Sequence, residues 1–120
     1  MKLFTIHVGA ASAFDAVLNV IYPRFDSFTI LNGQGVFRGQ SEPALLVHVA
    51  TNDGLGVIAA AQAVRAALNQ TGVGIEYDGL YYRCRENDDA LELQQQLGRE
   101  ARWNGERHED FSRHQLPSTR

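Results

Sequence analysis

Two histidines, His7 and His48, are the residues of this chain best suited to chemistry, because each lies in a β-prone run. Imidazole titrates near neutral pH and ligates metals, so two rings on one sheet face can act as an acid–base pair or hold a metal ion. On neighbouring strands the rings would lie diagonally, about 7–8 Å apart. Glu76 or Cys84 is then a conceivable third ligand. No H-x-H, H-x-x-E or C-x-x-C spacing accompanies them, so we expect histidines satisfied by their neighbours, and neither a metal nor a cofactor.

A second candidate site is an aromatic and basic cluster formed by Tyr81, Tyr82, Arg83 and Arg85. Aromatic side chains on a sheet can stack nucleic-acid bases. Acidic residues surround this cluster, however, and tyrosine and arginine are common anchors of protein interfaces. We therefore predict that these four residues bind a protein partner, and we expect no nucleic-acid binding.

Two glycine-containing segments have the composition of phosphate-binding loops. Gly33 and Gly35 are not followed by a helix, which excludes the dinucleotide-binding fingerprint. Residues 53–56 do follow a strand and open a helix, where backbone amides can hold an anion. The Asp53 carboxylate would repel phosphate and is a good helix cap, so we expect no anion site there.

The composition limits the class of protein. The 120 residues fit one domain, and the net charge of −3 argues against a dedicated nucleic-acid binder. Cys84 is the single cysteine, which favours a reducing compartment and a cytoplasmic location. No apolar run is long enough for a membrane span. Residues 1–13 resemble a short secretory signal, but Thr5 and His7 interrupt the apolar run, so we expect a first strand instead.

Periodicity predicts the elements that must position these side chains. Phe4, Ile6 and Val8 alternate with polar neighbours, as in a half-buried strand. Asp78-Gly79 between two β-prone runs predicts a two-residue hairpin. The predicted strands cover residues 2–8, 27–38 with a bend at the glycines, 44–50 after a turn at 39–43, 73–77 and 80–84. The predicted helices lie between a Ser12 cap and Pro23, at 55–69 before a left-handed Gly72, and at 90–103.

This order predicts an α+β fold, namely a ferredoxin-like βαββαβ antiparallel sheet with a C-terminal hairpin and an additional C-terminal helix. The first and third strands would be central, and both long helices would cover one face. The domain would span residues 1–103, followed by a polar tail at 104–120. The uncovered face would carry Thr5, His7, Leu46 and His48. The third helix (through Leu93, Leu97 and Trp103), a second subunit or a ligand would cover it.

Three short motifs lie within residues 14–70: Pro23-Arg24-Phe25, then Thr29-x-Leu31-x-Gly33-x-Gly35-x-Phe37-Arg38, then Glu42 before the strand LLVHV. Together they resemble a family of small uncharacterised bacterial proteins in which a similar pattern recurs. The resemblance implies a ferredoxin-like α+β domain and no established catalytic residues. The chain differs from that pattern by Phe37 at a tryptophan position and by its polar C-terminal extension. Its layout is also similar to that of dimeric α+β barrel proteins, which include small monooxygenases.

Two functions follow from these patterns. The first is a non-catalytic domain that binds a protein partner or forms a homodimer. An accessory or inhibitor protein of a phage or mobile element would have this function. The alternative is a small enzyme or metal-dependent binder that uses the open sheet face, with His7 and His48 as its candidate catalytic residues. The absence of a catalytic motif favours the first.

Overall fold

The computed structural model describes residues 1–9 and 14–96. Its elements, in chain order, are β1 (Lys2–Val8), α1 (Phe14–Ile21), β2 (Phe28–Phe37), β3 (Gln40–Thr51), α2 (Gly54–Ala67), β4 (Gly72–Tyr77) and β5 (Leu80–Arg85). Residues 90–96 are helical and are called α3 here. None of the helices in the described ranges is long and apolar enough to cross a membrane.

The five strands form one antiparallel sheet in the order β2-β3-β1-β4-β5. The predicted α+β class and antiparallel sheet are therefore confirmed. β1 is the middle strand, and it pairs with β3 on one side and β4 on the other.

The core lies between one face of this sheet and the helices α1 and α2. Phe4, Ile6 and Val8 of β1 are buried there, as their alternation predicts. β3 and β4 contribute in the same way, since a strand directs every second side chain to the same face. The helices add small and branched side chains, namely Val17, Ile21, Val57, Ile58, Ala60, Ala61 and Val64.

The N-terminus of α2 is capped by Asp53. The Gly56 amide donates a hydrogen bond to Asp53 Oδ1 at 2.9 Å, and the Val57 amide donates to the Asp53 carbonyl at 3.2 Å. The sequence predicts Asn52 or Asp53 as the cap, and Asp53 is confirmed. The predicted C-terminus is wrong, because the left-handed residue is Asn69 (φ 54°) and Gly72 instead begins β4. An asparagine tolerates this conformation better than most residues with a side chain.

Two tight turns join neighbouring strands. Asp78 (φ 53°) and Gly79 (φ 80°) form the predicted hairpin turn, and positive φ at both positions is typical of type I′. Arg38 (φ 52°) and Gly39 (φ 78°) form a second such turn. The turn predicted at residues 39–43 is therefore wrong.

Pro43 misled the turn prediction because proline seldom lies inside a sheet. It is part of β3, paired with Gln34 of β2. Strand β1 ends at Val8, opposite Leu45, so β3 has a neighbour on only one side at Pro43. A proline is tolerated at such a local edge, since no second neighbour needs its missing amide hydrogen. β2 itself is one continuous strand through Gly33 and Gly35, and its register has no bulge.

Two helices differ in part from the expected pattern. In α1, the spacing of Phe14, Val17, Leu18 and Ile21 predicts one buried stripe. Val17 and Ile21 are buried, but Phe14 is 40% exposed and does not belong to that stripe. The Ser12 cap lies outside the described residues. The sequence predicts Asn87 or Asp88 as the cap of the third helix. Asp89 caps α3 instead, since the Glu92 amide donates to its Oδ1 at 2.9 Å.

α3 begins on the helical side of the sheet. Leu93 packs against the buried core, and the Gln94 side-chain amide lies over Gly54 at the start of α2. Residues 90–96 therefore do not cover the opposite face, contrary to one of the alternatives. Leu97, Trp103 and the tail at 104–120 lie outside the described residues.

Replacing Asp53 with alanine removes the acceptor of the Gly56 amide. We expect the free energy of unfolding to fall by about 1 kcal/mol, the usual cost of losing an N-cap. Urea unfolding followed by circular dichroism measures it. The neighbouring exposed Asn52→Ala variant is the control and should be unchanged; an equal loss in both variants would contradict a capping role.

Cys84 is fully buried, and burial, with a smaller effect of Asp88, raises the pKa of its thiol from 9.0 to about 12. The unfolded chain releases this proton near pH 9, whereas the folded chain keeps it to about pH 12. The stability due to the neutral thiol is therefore present below pH 9 and lost as the pH rises towards 12.

We expect the folded protein to resist a thiol reagent at pH 8 and the urea-unfolded protein to react at once, because the thiolate is the reactive form. Cys84→Ala should lose less stability than the wild type between pH 8 and 10. This comparison removes the contribution of Tyr77, whose pKa is also raised by burial and by Asp78. Rapid native labelling or parallel pH curves would contradict the assignment.

Candidate functional site

The side of the sheet opposite α1 and α2, called the open face here, carries two rows of residues set by the strand register. One row consists of Thr29, His48, Thr5, Glu76 and Tyr81, and the next of Leu31, Leu46, His7, Gly74 and Arg83. Each row runs across all five strands. Residues far apart in the chain therefore become neighbours there.

The two histidines lie diagonally on the open face, with His7 opposite Leu46 and His48 opposite Thr5. Each has its own hydrogen-bond partner. His48 Nδ1 lies 2.9 Å from Thr5 Oγ1, and His7 Nε2 lies 3.1 Å from Glu76 Oε1. The structure thus gives each ring a separate neighbour, and a joint acid–base function stays a prediction.

The possible third metal ligands lie on different sides of the sheet. Glu76 is next to His7, whereas Cys84 is in the core on the opposite face. Cys84 was therefore a wrong candidate, because its position in β5 directs its side chain to the core. Within residues 1–9 and 14–96, no group of three or more His, Cys, Asp or Glu side chains is placed to hold a metal ion.

Strand alternation divides the predicted partner-binding cluster. Tyr81 and Arg83 belong to the open face, whereas Tyr82 packs against the core. Arg85 is exposed at the end of β5. The Tyr81 ring contacts His7 edge-on, with 5.4 Å between the ring centroids. The four residues are therefore not one surface, and their binding function remains untested.

Two glycines of β4 determine how the β5 side chains lie. A Cβ atom at Gly74 would overlap the Tyr81 ring and its hydroxyl. A Cβ atom at Gly72 would meet Arg83 Nε at 2.5 Å. Tyr81 and Arg83 therefore lie across the bare backbone of β4, which a side chain at either glycine would prevent.

A cleft of about 590 Å³ lies on this surface beside the end of β1. Its volume is in the usual range for small-molecule sites. We call it the open-face cleft. Its polar lining consists of His7, Glu42, Gln70, Thr71, Tyr81 and Arg83, and its other lining residues include Gly9, Gly35 and Gly72.

Opposite charges meet in this cleft without neutralising each other. Glu42 extends over Gly9, where its Oε1 lies 3.5 Å from the position that a Cβ would take. Within the described part of the chain, neither Glu42 nor Arg83 has a hydrogen-bond or ion-pair partner. Gln70 Nε2 donates to the Gly9 carbonyl at 3.1 Å and joins the loops after β1 and α2. The cleft thus presents one free carboxylate and one free guanidinium.

The sequence did not indicate that Glu42 and Arg83 line the same cleft. Glu42 was noted only as part of the motif pattern in residues 14–70, and Arg83 was assigned to a protein interface. The available signal was the pair of glycines at Gly72 and Gly74, which makes one face of β4 bare. His48 was a candidate from the sequence, but it does not line the cleft.

No family model matches the chain, and no curated protein matches it. Among solved structures, its fold is similar to that of a phage SAM lyase in the apo state, with a TM-score of 0.54. The similarity covers 73% of this chain and 91% of that chain, at 19% sequence identity. At this identity the comparison shows a common fold.

Proposed function

We propose that this chain is a small enzyme that binds S-adenosylmethionine (SAM) in the open-face cleft and breaks a carbon–sulfur bond of that molecule. The observation that carries the proposal is a cleft of substrate size with a free carboxylate, a free guanidinium, an imidazole and a phenol. The similarity in fold to a phage SAM lyase supports this choice of substrate. It also supports a phage setting, which the sequence had suggested for an accessory protein.

We also propose that the fold is ferredoxin-like and extended by one strand. The support is the order of the first four strands, β2-β3-β1-β4, in which β1 and β3 are internal. β5 then forms an added edge next to β4. Membership in the bacterial family suggested by residues 14–70 remains part of the same proposal.

The charges of SAM suit the cleft. SAM carries a sulfonium cation, and the Glu42 carboxylate supplies a negative charge that is not neutralised by any described side chain. Ion pairs are stronger at a partly enclosed surface than in bulk water. Glu42 would therefore attract the cationic centre into the cleft.

Breaking this carbon–sulfur bond requires few catalytic groups from the protein. When the bond between sulfur and the amino-acid chain breaks, its electron pair stays on sulfur, and a neutral thioether leaves without protonation. The carbon fragment is completed when a base removes a proton from the adjacent carbon, or when the substrate's own carboxylate attacks. In either case the thioether product is methylthioadenosine.

Glu42 is the proposed base for the first of these routes. The positive charge on sulfur disappears during the reaction, so a carboxylate that only binds the sulfonium improves substrate binding more than rate. Proton removal by Glu42 would raise kcat as well. The pattern of kcat and KM in a Glu42 variant therefore distinguishes binding from base catalysis.

The second candidate function is contact with a protein or with another copy of this chain. A specific observation favours it: Leu3 and Leu31 of the open face are 61% and 44% exposed, and Tyr81 is 42% exposed. Apolar groups gathered on one surface are common at interfaces. This is the function first expected from the sequence.

We expect the purified protein to consume SAM and release methylthioadenosine, measured by chromatography with mass spectrometry. Glu42→Gln should lower kcat/KM by about 100-fold, a typical contribution of general base catalysis. Glu86→Gln, which alters an exposed carboxylate outside the cleft, is the control and should retain activity. Wild-type protein that neither consumes nor binds SAM would overturn the proposal, and an active Glu42→Gln variant would remove Glu42 from the mechanism.

Native mass spectrometry tests the contact function. If two copies associate through their open faces, Leu31→Glu should convert the oligomer to monomer, because it introduces a charge into an apolar interface. Leu55→Glu, at an exposed position of α2, is the matched control and should not change the assembly. A wild-type monomer would contradict self-association.

A further inference from the structure

We infer, on the basis of the proposed function, that Arg83 binds the carboxylate of the substrate and that the open-face cleft recognises a ligand that carries both a carboxylate and a cationic group. The ligand would lie with its carboxylate at Arg83 and its cationic group near Glu42.

The position of Arg83 is the first observation. Its side chain crosses Gly72, and a Cβ atom there would meet the Arg83 side chain at Nε, Cγ and Cζ. A long exposed arginine usually samples many rotamers, and ordering it opposes binding. The bare backbone at Gly72 instead gives this side chain a surface to lie on, next to the cleft.

The charge distribution is the second observation. Arg83 and Glu42 both line the cleft, yet no ion pair joins them, and no other described residue neutralises either group. Opposite charges kept apart in one cleft match a ligand that carries both charges. SAM has this character, because its amino-acid chain carries a carboxylate and ends at the sulfonium that Glu42 is proposed to attract.

The geometry of the guanidinium is the third argument. It is planar and presents paired donors that match the two oxygens of a carboxylate. A lysine at this position would supply charge without that fork. We therefore expect tight binding to require both an arginine at position 83 and a carboxylate on the ligand.

The test compares SAM with decarboxylated SAM, which lacks only the carboxylate, by isothermal titration calorimetry. The wild type should bind SAM about 10- to 100-fold more tightly, the range expected for a hydrogen-bonded charge pair. Arg83→Ala should abolish this preference by weakening SAM alone, and Arg83→Lys should restore part of it. Gly72→Ala should reduce the preference as well, because it displaces Arg83.

Arg24→Ala is the control, because Arg24 is exposed and does not line the cleft. The Arg24 guanidinium donates instead to the Val20 carbonyl. This variant should keep the wild-type preference, and thermal unfolding checks that each variant is folded. Equal wild-type affinities for the two ligands, or equal weakening of both by Arg83→Ala, would overturn the inference while leaving SAM binding in place. Wild-type protein that binds neither ligand would overturn the proposed function too.

Discussion

The pairing of β1 on both of its edges is the constraint on which the rest of the structure depends. β1 joins β3 to β4, and these bring β2 and β5 into the same sheet. Ile6 is buried in the core, so the neighbouring Thr5 and His7 must lie on the open face. A slip of one residue would exchange the two sets and place polar groups in the core. The hydrophobic core thus fixes the positions of the open-face residues.

Small residues then determine the shape of that face. Gly72 and Gly74 leave β4 bare, and the side chains of Arg83 and Tyr81 occupy the space. Most side chains on a sheet stand roughly perpendicular to it, whereas here two lie across a neighbouring strand. The glycines of β4 therefore determine how these two side chains lie on the open face.

This arrangement relates the two candidate functions. The open face is partly apolar, which favours contact with a partner. Its cleft, however, contains opposite charges, and an apolar partner would leave them desolvated and unpaired. Burying such groups without compensation costs several kcal/mol. A small ligand that carries both charges would pair with both groups and leave the exposed Leu3 and Leu31 for other contacts. For this reason the charged cleft favours the proposed binding of a small ligand over a purely structural use of the face.

The sequence by itself determined the local structure. Alternation in residues 2–8, the Asp78-Gly79 turn and the Asp53 cap depend on interactions between near neighbours, and all three were predicted correctly. The Pro43 turn was wrong because only the end of β1 makes a proline acceptable there. Only the tertiary structure decided the site, since Glu42, His7 and Arg83 come from three strands and meet through register across the sheet. Register depends on the packing of the whole core, a long-range cooperative property that local residue patterns do not contain.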